Sequence, residues 1–186
     1  MMSHGVRVLA AVLAAACAHS PGGGPDTSVT PMTTSLIAPG GTFIVGNTNQ
    51  YTAIATTVPV KPDSAYDLVQ AAYKKLEIPL TQYDARSLSV GNDVLKVRRR
   101  IGGLLMQNVV DCGAKMSLPN AETWDIEMNI LSYVGDDGKG GAKVSTRIQA
   151  TGHDPLISER DMIPCATTGA LEAKIGNTVK LLLVKK

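Results

Sequence analysis

The amino-acid sequence predicts an α+β fold, a two-layer sandwich in which an antiparallel sheet of about four to five strands carries two helices. Three observations predict this class. Several runs alternate apolar and polar residues, two other runs repeat apolar residues at helical spacing, and turns rich in Gly and Asp separate neighbouring strands. The order of strand, helix, about four strands and helix is typical of a two-layer α+β sandwich.

The first strand of the domain lies in "NQYTAIATTVPVKP", which alternates between residues 52 and 60. Ile54, Val58 and Val60 fall on one side, and the Thr and Tyr content suits a strand. Pro59 and Pro62 place the end of this strand at a sheet edge or at an exit from the sheet.

The first helix follows directly. Asp63 or Ser64 is expected to cap it, and the helix is expected to extend to Leu76 before Pro79 ends it. Four apolar residues at helical spacing form its inward stripe, namely Ala65, Val69, Ala72 and Leu76. This stripe predicts one face packed against the sheet.

Two further strands are predicted in "LTQYDARSLSVGN" and "DVLKVRRRIGG", joined by a turn at Gly91-Asn92. The second includes the only charge cluster of the sequence, "KVRRRIGG". In a strand Arg98 and Arg100 point to one side and Arg99 to the other, so the cluster does not form a uniform basic face. We interpret it as an edge strand protected from unwanted pairing, with contact to anionic headgroups as the alternative.

The strongest strand pattern is "WDIEMNILSYV", which a "DDGKGG" turn connects to "AKVSTRIQATG". The buried face of this hairpin is expected to comprise Trp124, Ile126, Met128, Ile130, Val144, Ile148 and Ala150. The solvent-facing side is expected to comprise Asp125, Glu127, Asn129, Arg147 and Gln149. This alternation predicts a sheet with one buried and one wet face, on which Glu127 is placed to meet Arg147.

The last segment, "TTGALEAKIGNTVKLLLVKK", predicts a helix over the buried face of the sheet. Its apolar stripe comprises Leu171, Ile175, Val179 and Leu182. Gly176 weakens the helix by about 1 kcal/mol relative to Ala, whereas Lys185 and Lys186 favour its carboxyl end.

Residues 1–16 have the layout of a secretory signal peptide, with Arg7 followed by an apolar run and small residues before Cys17. The apolar run of about nine residues is shorter than the roughly twenty that a membrane span needs. "LAAAC" resembles the lipobox of bacterial lipoproteins, which implies lipidation at Cys17. The alternative is an ordinary signal peptidase that cuts after Ala16.

Residues 17–41 are rich in Pro, Gly, Ser and Thr and predict a lipidated cysteine with a flexible tether, although "TTSLI" within it can add an early strand. Residues 42–186 are then expected to form a single domain. The formal net charge of +2 gives no reason to expect nucleic acid as a partner.

Cys112 and Cys165 remain as a pair once Cys17 is assigned to lipid, and oxidation is expected in an exported protein. A disulfide between them is therefore predicted. A metal site needs further ligands, and a catalytic thiol needs a basic neighbour. The domain offers only His153 for either role.

His153-Asp154 is the single imidazole and carboxylate pair of the domain, but no Gly-x-Ser-x-Gly turn accompanies it. Gly152 and Pro155 instead favour a solvated histidine in a loop. "DDGKGG" has neither the spaced acids of a calcium loop nor the Lys-Ser ending of a phosphate loop. The sequence therefore predicts no catalytic residue, no metal site and no cofactor.

The stretch "SAYDLVQAAYKKLEIPLTQYDARSLSVGN", a helix followed by a strand carrying Asp84, resembles the repeated domain of lipoprotein C of the outer-membrane β-barrel assembly machinery. The resemblance implies a helix-grip-like architecture, in which a small antiparallel sheet holds a long C-terminal helix. That family has two such domains, whereas this chain is expected to have one. No functional residue is carried over from it.

These observations predict a non-enzymatic lipoprotein of the bacterial cell envelope, which docks another envelope protein through its wet sheet face or edge. The membrane is the other expected partner, through the lipid on Cys17. Ala18 favours the outer membrane, facing the periplasm, by analogy with lipoprotein sorting. A carrier of an apolar ligand in a groove between the last helix and the sheet is the alternative, and an enzyme using His153 or the cysteine pair is a third hypothesis.

Overall fold

The computed structural model describes residues 54–157 and 162–184, together with the backbone of two strands between residues 33 and 46. The helices are α1 (Pro62–Lys75) and α2 (Ala170–Val184), with single 3-10 turns at Met106–Asn108 and Asn120–Glu122. The strands are β1 (Thr33–Ala38), β2 (Gly41–Gly46), β3 (Ile54–Val58), β4 (Gln82–Asp84), β5 (Ser89–Val97), β6 (Arg100–Ile101), β7 (Leu104–Leu105), β8 (Val110–Asp111), β9 (Ala114–Lys115), β10 (Leu118–Pro119), β11 (Asp125–Asp136), β12 (Ala142–His153) and β13 (Ile163–Thr167).

The main sheet has seven strands in the order β4-β5-β11-β12-β13-β8, and β3 also pairs with β12. All of these pairs are antiparallel. The predicted α+β class with two helices is confirmed, but the sheet is larger than the four to five strands expected. The strands beyond those predicted are β8 and β13, of two and five residues, and neither segment shows an alternating pattern in the sequence.

The predicted long hairpin is formed by β11 and β12, each of twelve residues. Ile126, Met128 and Ile130 are almost fully buried, as their alternation predicted. The predicted turn is also confirmed, because β12 begins only six residues after Asp136. Asp137 stabilises the turn by accepting hydrogen bonds from the backbone N–H groups of Lys139 and Gly141, both at 2.8 Å.

Helix α1 begins two or three residues earlier than predicted, and neither Asp63 nor Ser64 is its cap. Pro62 is the first helical residue, and the preceding Lys61 makes no capping side-chain hydrogen bond. The fixed φ of proline suits the first helical position, where its missing N–H costs nothing. The inward stripe is confirmed for its three buried residues, Ala65, Val69 and Ala72.

The turn expected at Gly91-Asn92 is wrong, because β5 continues through both residues. The chain reverses between β4 and β5 instead, where Asp84 accepts a hydrogen bond from the backbone N–H of Arg86 at 2.8 Å. Gly91 lies where a Cβ atom would strike the carbonyl oxygen of Ile130 on β11. A glycine in this strand therefore permits a close backbone approach rather than a turn.

The expectation that the three arginines alternate along one strand is also wrong. β5 ends at Val97, and Arg99 has φ of +69°, which breaks the extended conformation. Arg100 then begins a separate hairpin, β6–β7, whose turn is made by Gly102 and Gly103 at positive φ. The basic cluster therefore spans the end of one strand, a turn and the start of another strand.

Both helices pack on one face of the sheet. The Tyr73 hydroxyl of α1 lies 2.9 Å from Ser132 Oγ on β11, and α2 approaches Thr56 on β3. Ser132 pairs with Thr146 of β12, and Thr56 pairs with Val144 of the same strand. Residues 144 and 146 point to the same face of the sheet, so Ser132 and Thr56 share that face. The predicted stripe of α2 is confirmed, since Leu171, Ile175 and Val179 are fully buried.

The predicted signal peptide and Cys17 lie outside the described residues. The early strand suggested by "TTSLI" coincides with β1, which pairs with β2 in a separate hairpin. β2 contacts β13. This hairpin lies across the boundary expected between residues 17–41 and residues 42–186.

Within the described part of the chain, no helix has both the length and the hydropathy that a membrane span requires.

Candidate functional site

The outer face of the sheet brings together the five residues predicted for docking. Asn129 and Gln149 are directly opposite in the β11–β12 register, and residues in register share a face. Asp125, Glu127 and Arg147 alternate with them along the same two strands. Asp125 and Gln149 are exposed, whereas the other three are half-buried by their neighbours. Both helices lie on the opposite face.

The expected pairing of Glu127 with Arg147 is wrong. The register places Thr151 opposite Glu127 and Leu131 opposite Arg147. The two charged residues are therefore four positions apart along the hairpin. The sequence indicates the correct face for each residue, but the pairing depends on the residue at which the turn begins.

The face ends in a cluster of opposite charges that the sequence analysis did not predict as a site. Lys96 of β5 lies opposite Glu127 of β11. Arg98 Nε lies 3.3 Å from Asp125 Oδ1, and both side chains are more than half exposed. An exposed pair of this kind contributes at most about 1 kcal/mol to stability. The charges are therefore better suited to orienting a partner than to holding the fold.

These basic residues were missed because their strand was assigned differently. With a turn expected at Gly91-Asn92, nothing placed Lys96 or Arg98 beside β11. The signal available was the glycine itself, since a glycine within a strand also indicates a close approach to a neighbouring strand.

His153 lies at the end of β12, opposite Asp125, rather than in the loop expected. It lines a groove of about 590 Å³ together with Lys96, Arg98 and Met162. Its Nε2 atom is buried and has no hydrogen-bond partner among the described residues.

Asp154 does not orient this histidine as an acid in a catalytic pair would. It is 8% exposed, and its Oδ1 accepts a hydrogen bond from the backbone N–H of Leu156 at 3.0 Å. Its Oδ2 lies 3.6 Å from Lys115 Nζ. The carboxylate thus stabilises the turn after β12 and connects it to the β9–β10 hairpin.

A chain of hydroxyl groups crosses the core between α1 and the sheet. Ser132 Oγ lies 2.9 Å from the Tyr73 hydroxyl and 2.8 Å from Thr146 Oγ1. Burial raises the pKa of the Tyr73 hydroxyl, so it remains protonated and able to donate. These groups satisfy one another and leave no opening to solvent for a reaction.

Glu172 carries a second buried carboxyl group, at 2% exposure. Burial raises its pKa, although hydrogen bonds from its own backbone N–H and from the Thr167 side chain lower it in part. Its Oε2 atom has no hydrogen-bond partner among the described residues. The side chain lies in the first turn of α2, where the helix dipole favours a negative charge.

Cys112 and Cys165 form a disulfide, at a sequence separation of 53. The predicted bridge is confirmed. Both sulfur atoms lie close to Gly152 on β12, where a Cβ atom would be 3.1–3.2 Å from them. The bridge joins the segment between β8 and β9 to β13.

The groove that a carrier of apolar ligands would need is closed where α2 crosses β3. A Cβ atom on Gly176 would clash with Thr56 Oγ1. The two elements are therefore in direct contact at this level, and a ligand has no room between them there.

No group of three His, Cys, Asp or Glu side chains converges as a metal site among the described residues. No family model matches this chain. A search of curated proteins likewise gave no match. The outer sheet face with its charged end is therefore the candidate site that the geometry supports best.

Proposed function

We propose that this chain is a non-enzymatic lipoprotein of the bacterial cell envelope, which docks another envelope protein through the outer face of β11 and β12. One observation carries the proposal. Five polar and charged residues predicted from the sequence share a face that lies opposite both helices, and that face continues into charges from β5. A solvated sheet face of this kind provides a polar surface for a partner.

The side chains of this face suit recognition more than strong adhesion. Asn129 and Gln149 offer both donors and acceptors at its centre. Asp125 and Glu127 of β11 lie beside the bases Arg98 and Lys96, and such a pattern of paired charges fixes the register of a partner and rejects mismatched ones. The partner is thus expected to present complementary charges at the same spacing.

The architecture supports the helix-grip-like interpretation. The fifteen-residue helix α2 follows the whole sheet in sequence and lies across it, in contact with β3 and β12. We propose this architecture as the scaffold that presents the outer face, in keeping with the resemblance noted above.

The anchoring part of the proposal depends on the N-terminal sequence. Lipid on Cys17 holds the protein at the membrane, because two or three acyl chains bind almost irreversibly. Ala18 favours the outer membrane, with the domain in the periplasm. The disulfide is consistent with an oxidising compartment.

Crosslinking in cells tests the docking face. A photoreactive amino acid at Gln149 or Asp125 is expected to give one discrete adduct with an envelope protein. The matched control places the same amino acid at Lys180, which is exposed on α2 and faces away from the sheet. No adduct from the face, or the same adducts from Lys180, would refute the proposal.

A further inference from the structure

The edge of the sheet beyond β4 is open along the second half of β5. β4 pairs only with Ser89–Gly91 of β5, whereas β5 continues to Val97 and pairs with β11 on its other side. In an antiparallel strand, alternate residues direct both N–H and C=O groups away from one neighbour. Within the described residues, the stretch 95–97 therefore presents main-chain groups to an edge on which no strand lies.

This open edge is the floor of a groove of about 440 Å³. One wall is the end of α1 and the residues after it, including Leu76 and Pro79, and the other is the β6–β7 hairpin with Ile101. Leu95 and Val97 pair with Met128 and Ile126 and so share the face on which the helices lie. The helix side of the groove is accordingly apolar.

The outer side of the same groove is basic. Lys96 pairs with Glu127 on the outer face, and Arg98 and Arg100 also line the groove. Glu77 is the one acid among its lining residues. An extended chain in the groove would therefore meet cations on one side and aliphatic side chains on the other.

We propose that this edge accepts an extended segment of a partner protein as an added strand, and that the segment alternates acidic and aliphatic residues. Strand addition uses main-chain hydrogen bonds for affinity and alternate side chains for specificity. The acidic residues face Lys96 and Arg98, and the aliphatic ones face Leu95 and Val97. This site shares Lys96 and Arg98 with the charged end of the docking face, but its main-chain groups lie on the edge of β5 rather than on the outer face of β11 and β12.

Two other occupants are disfavoured by charge. A second copy that paired through its own β5 would bring two sets of Lys96, Arg98 and Arg100 together, and like charges directly opposite are destabilising. Residues 18–32 of this chain contain a single acid, Asp26, and no alternating pattern. The basic edge thus discourages self-association and favours an acidic segment.

A peptide of the proposed chemistry tests the site directly. The probe is a nonapeptide of alternating Glu and Val, acetylated at its N-terminus and amidated at its C-terminus. It is titrated into a protein that comprises residues 17–186 and carries Cys17→Ser. We expect saturable binding that weakens as salt is added, and slower amide hydrogen exchange at residues 95–97. A matched peptide of alternating Lys and Val, and an N-methylated form of the acidic peptide, are expected to bind at least tenfold more weakly.

Charge reversal on the protein provides the second readout. Lys96→Glu with Arg100→Glu is expected to weaken the acidic peptide at least tenfold and to strengthen binding of the basic one. Lys143→Glu with Lys180→Glu is the control, since both residues are exposed and neither lines the groove. The idea is overturned by no saturable binding up to about 1 mM, by equal binding of the N-methylated peptide, or by equal effects of the two double variants. Crosslinks from Gln149 are recorded on the wild-type chain, so a failure of the docking face and a failure of peptide binding are distinguishable.

Discussion

The effect expected of a Gly176→Ala substitution on stability differs between the sequence and the structure. On helix propensity alone, Gly176→Ala should stabilise α2 by about 1 kcal/mol. In the fold, the added methyl group would meet Thr56 Oγ1 on β3. We therefore expect Gly176→Ala to lower the free energy of unfolding by about 1–3 kcal/mol, as overpacking does. Urea denaturation followed by circular dichroism measures this change.

The matched control for this prediction removes the obstructing atom. Thr56→Ala takes away Oγ1, so the double variant Thr56→Ala/Gly176→Ala should be more stable than the sum of the two single effects predicts. Strict additivity would show that the contact between α2 and β3 does not determine the choice of glycine.

Glu172 is expected to make the free energy of unfolding depend on pH. Its pKa in the folded protein is raised above the ordinary value of 4.5, first by burial. Such a group supports folding fully below its unfolded pKa, and this contribution is lost as the pH rises through the folded pKa. Glu172→Gln should therefore gain stability relative to the wild type as the pH rises above about 4.5.

Unfolding free energies of both proteins from pH 4 to pH 8 provide the measurement for this residue. Glu122→Gln is the control because Glu122 is exposed, and it makes the same substitution outside the core. A Glu172→Gln difference that is flat would show that the carboxyl group is not held in an unfavourable environment.

The burial of single residues was predicted correctly where an apolar and polar alternation extends over a whole strand. It was not predicted for a polar residue that is buried against the pattern of its helix. The burial of Ile126 and Met128 follows from a two-residue period that extends over a whole strand. Glu172 is buried although the helical pattern places it among polar residues. Its burial becomes clear only in the fold, where its carboxyl group forms a hydrogen bond with the Thr167 side chain. An isolated polar residue gives no periodic signal by which it can be placed.

At the scale of elements, the disulfide reinforces the short pairing between β8 and β13. β8 has two residues and, in the described part of the chain, pairs only with β13, and the segment after it contains Cys112. The bridge to Cys165 closes a loop of 53 residues. Replacing both cysteines by alanine is expected to reduce the free energy of unfolding by about 4 kcal/mol in the chain-entropy model.

Guanidinium denaturation under non-reducing conditions measures this effect of the disulfide. Both proteins carry Cys17→Ser, so that neither has a free thiol. The reference retains the Cys112–Cys165 disulfide, and the variant has alanine at both positions. An equal midpoint for the two proteins would show that the bridge is dispensable for stability.

Element boundaries were predictable where turn chemistry was unambiguous. The Asp- and Gly-rich turn between β11 and β12 was placed correctly, because its carboxylate and glycines suit only a turn. Gly91 was misread because a glycine also serves a strand that lies close to its neighbour. Short strands such as β8 were not predicted, since their pairing arises from the fold rather than from local propensity.

For the molecule as a whole, the prediction concerns its mature form. The proposal requires a chain that begins at Cys17, carries acyl chains on that residue and contains the Cys112–Cys165 bridge. The intact mass of the protein extracted from membranes should match residues 17–186 plus a lipid modification, less two hydrogens for the disulfide. Cys17→Ser should move the protein from the membrane fraction to the soluble periplasm.

A mature mass without lipid would instead indicate the ordinary signal peptidase and would remove the anchor from the proposal. The docking face would not be affected by that result, because it rests on the geometry of the domain. Cell fractionation of wild type and Cys17→Ser side by side separates the two outcomes.

One edge of β12 is shared by strands from opposite ends of the domain. β3 pairs with residues 142–146, and β13 pairs with residues 150–152. Neither pairing can form until β12 has been translated, and contacts between such distant segments slow folding. The sheet therefore cannot be completed on a nascent chain until residue 167 has emerged, so any shorter nascent chain leaves β8 and part of β12 without their partner strand.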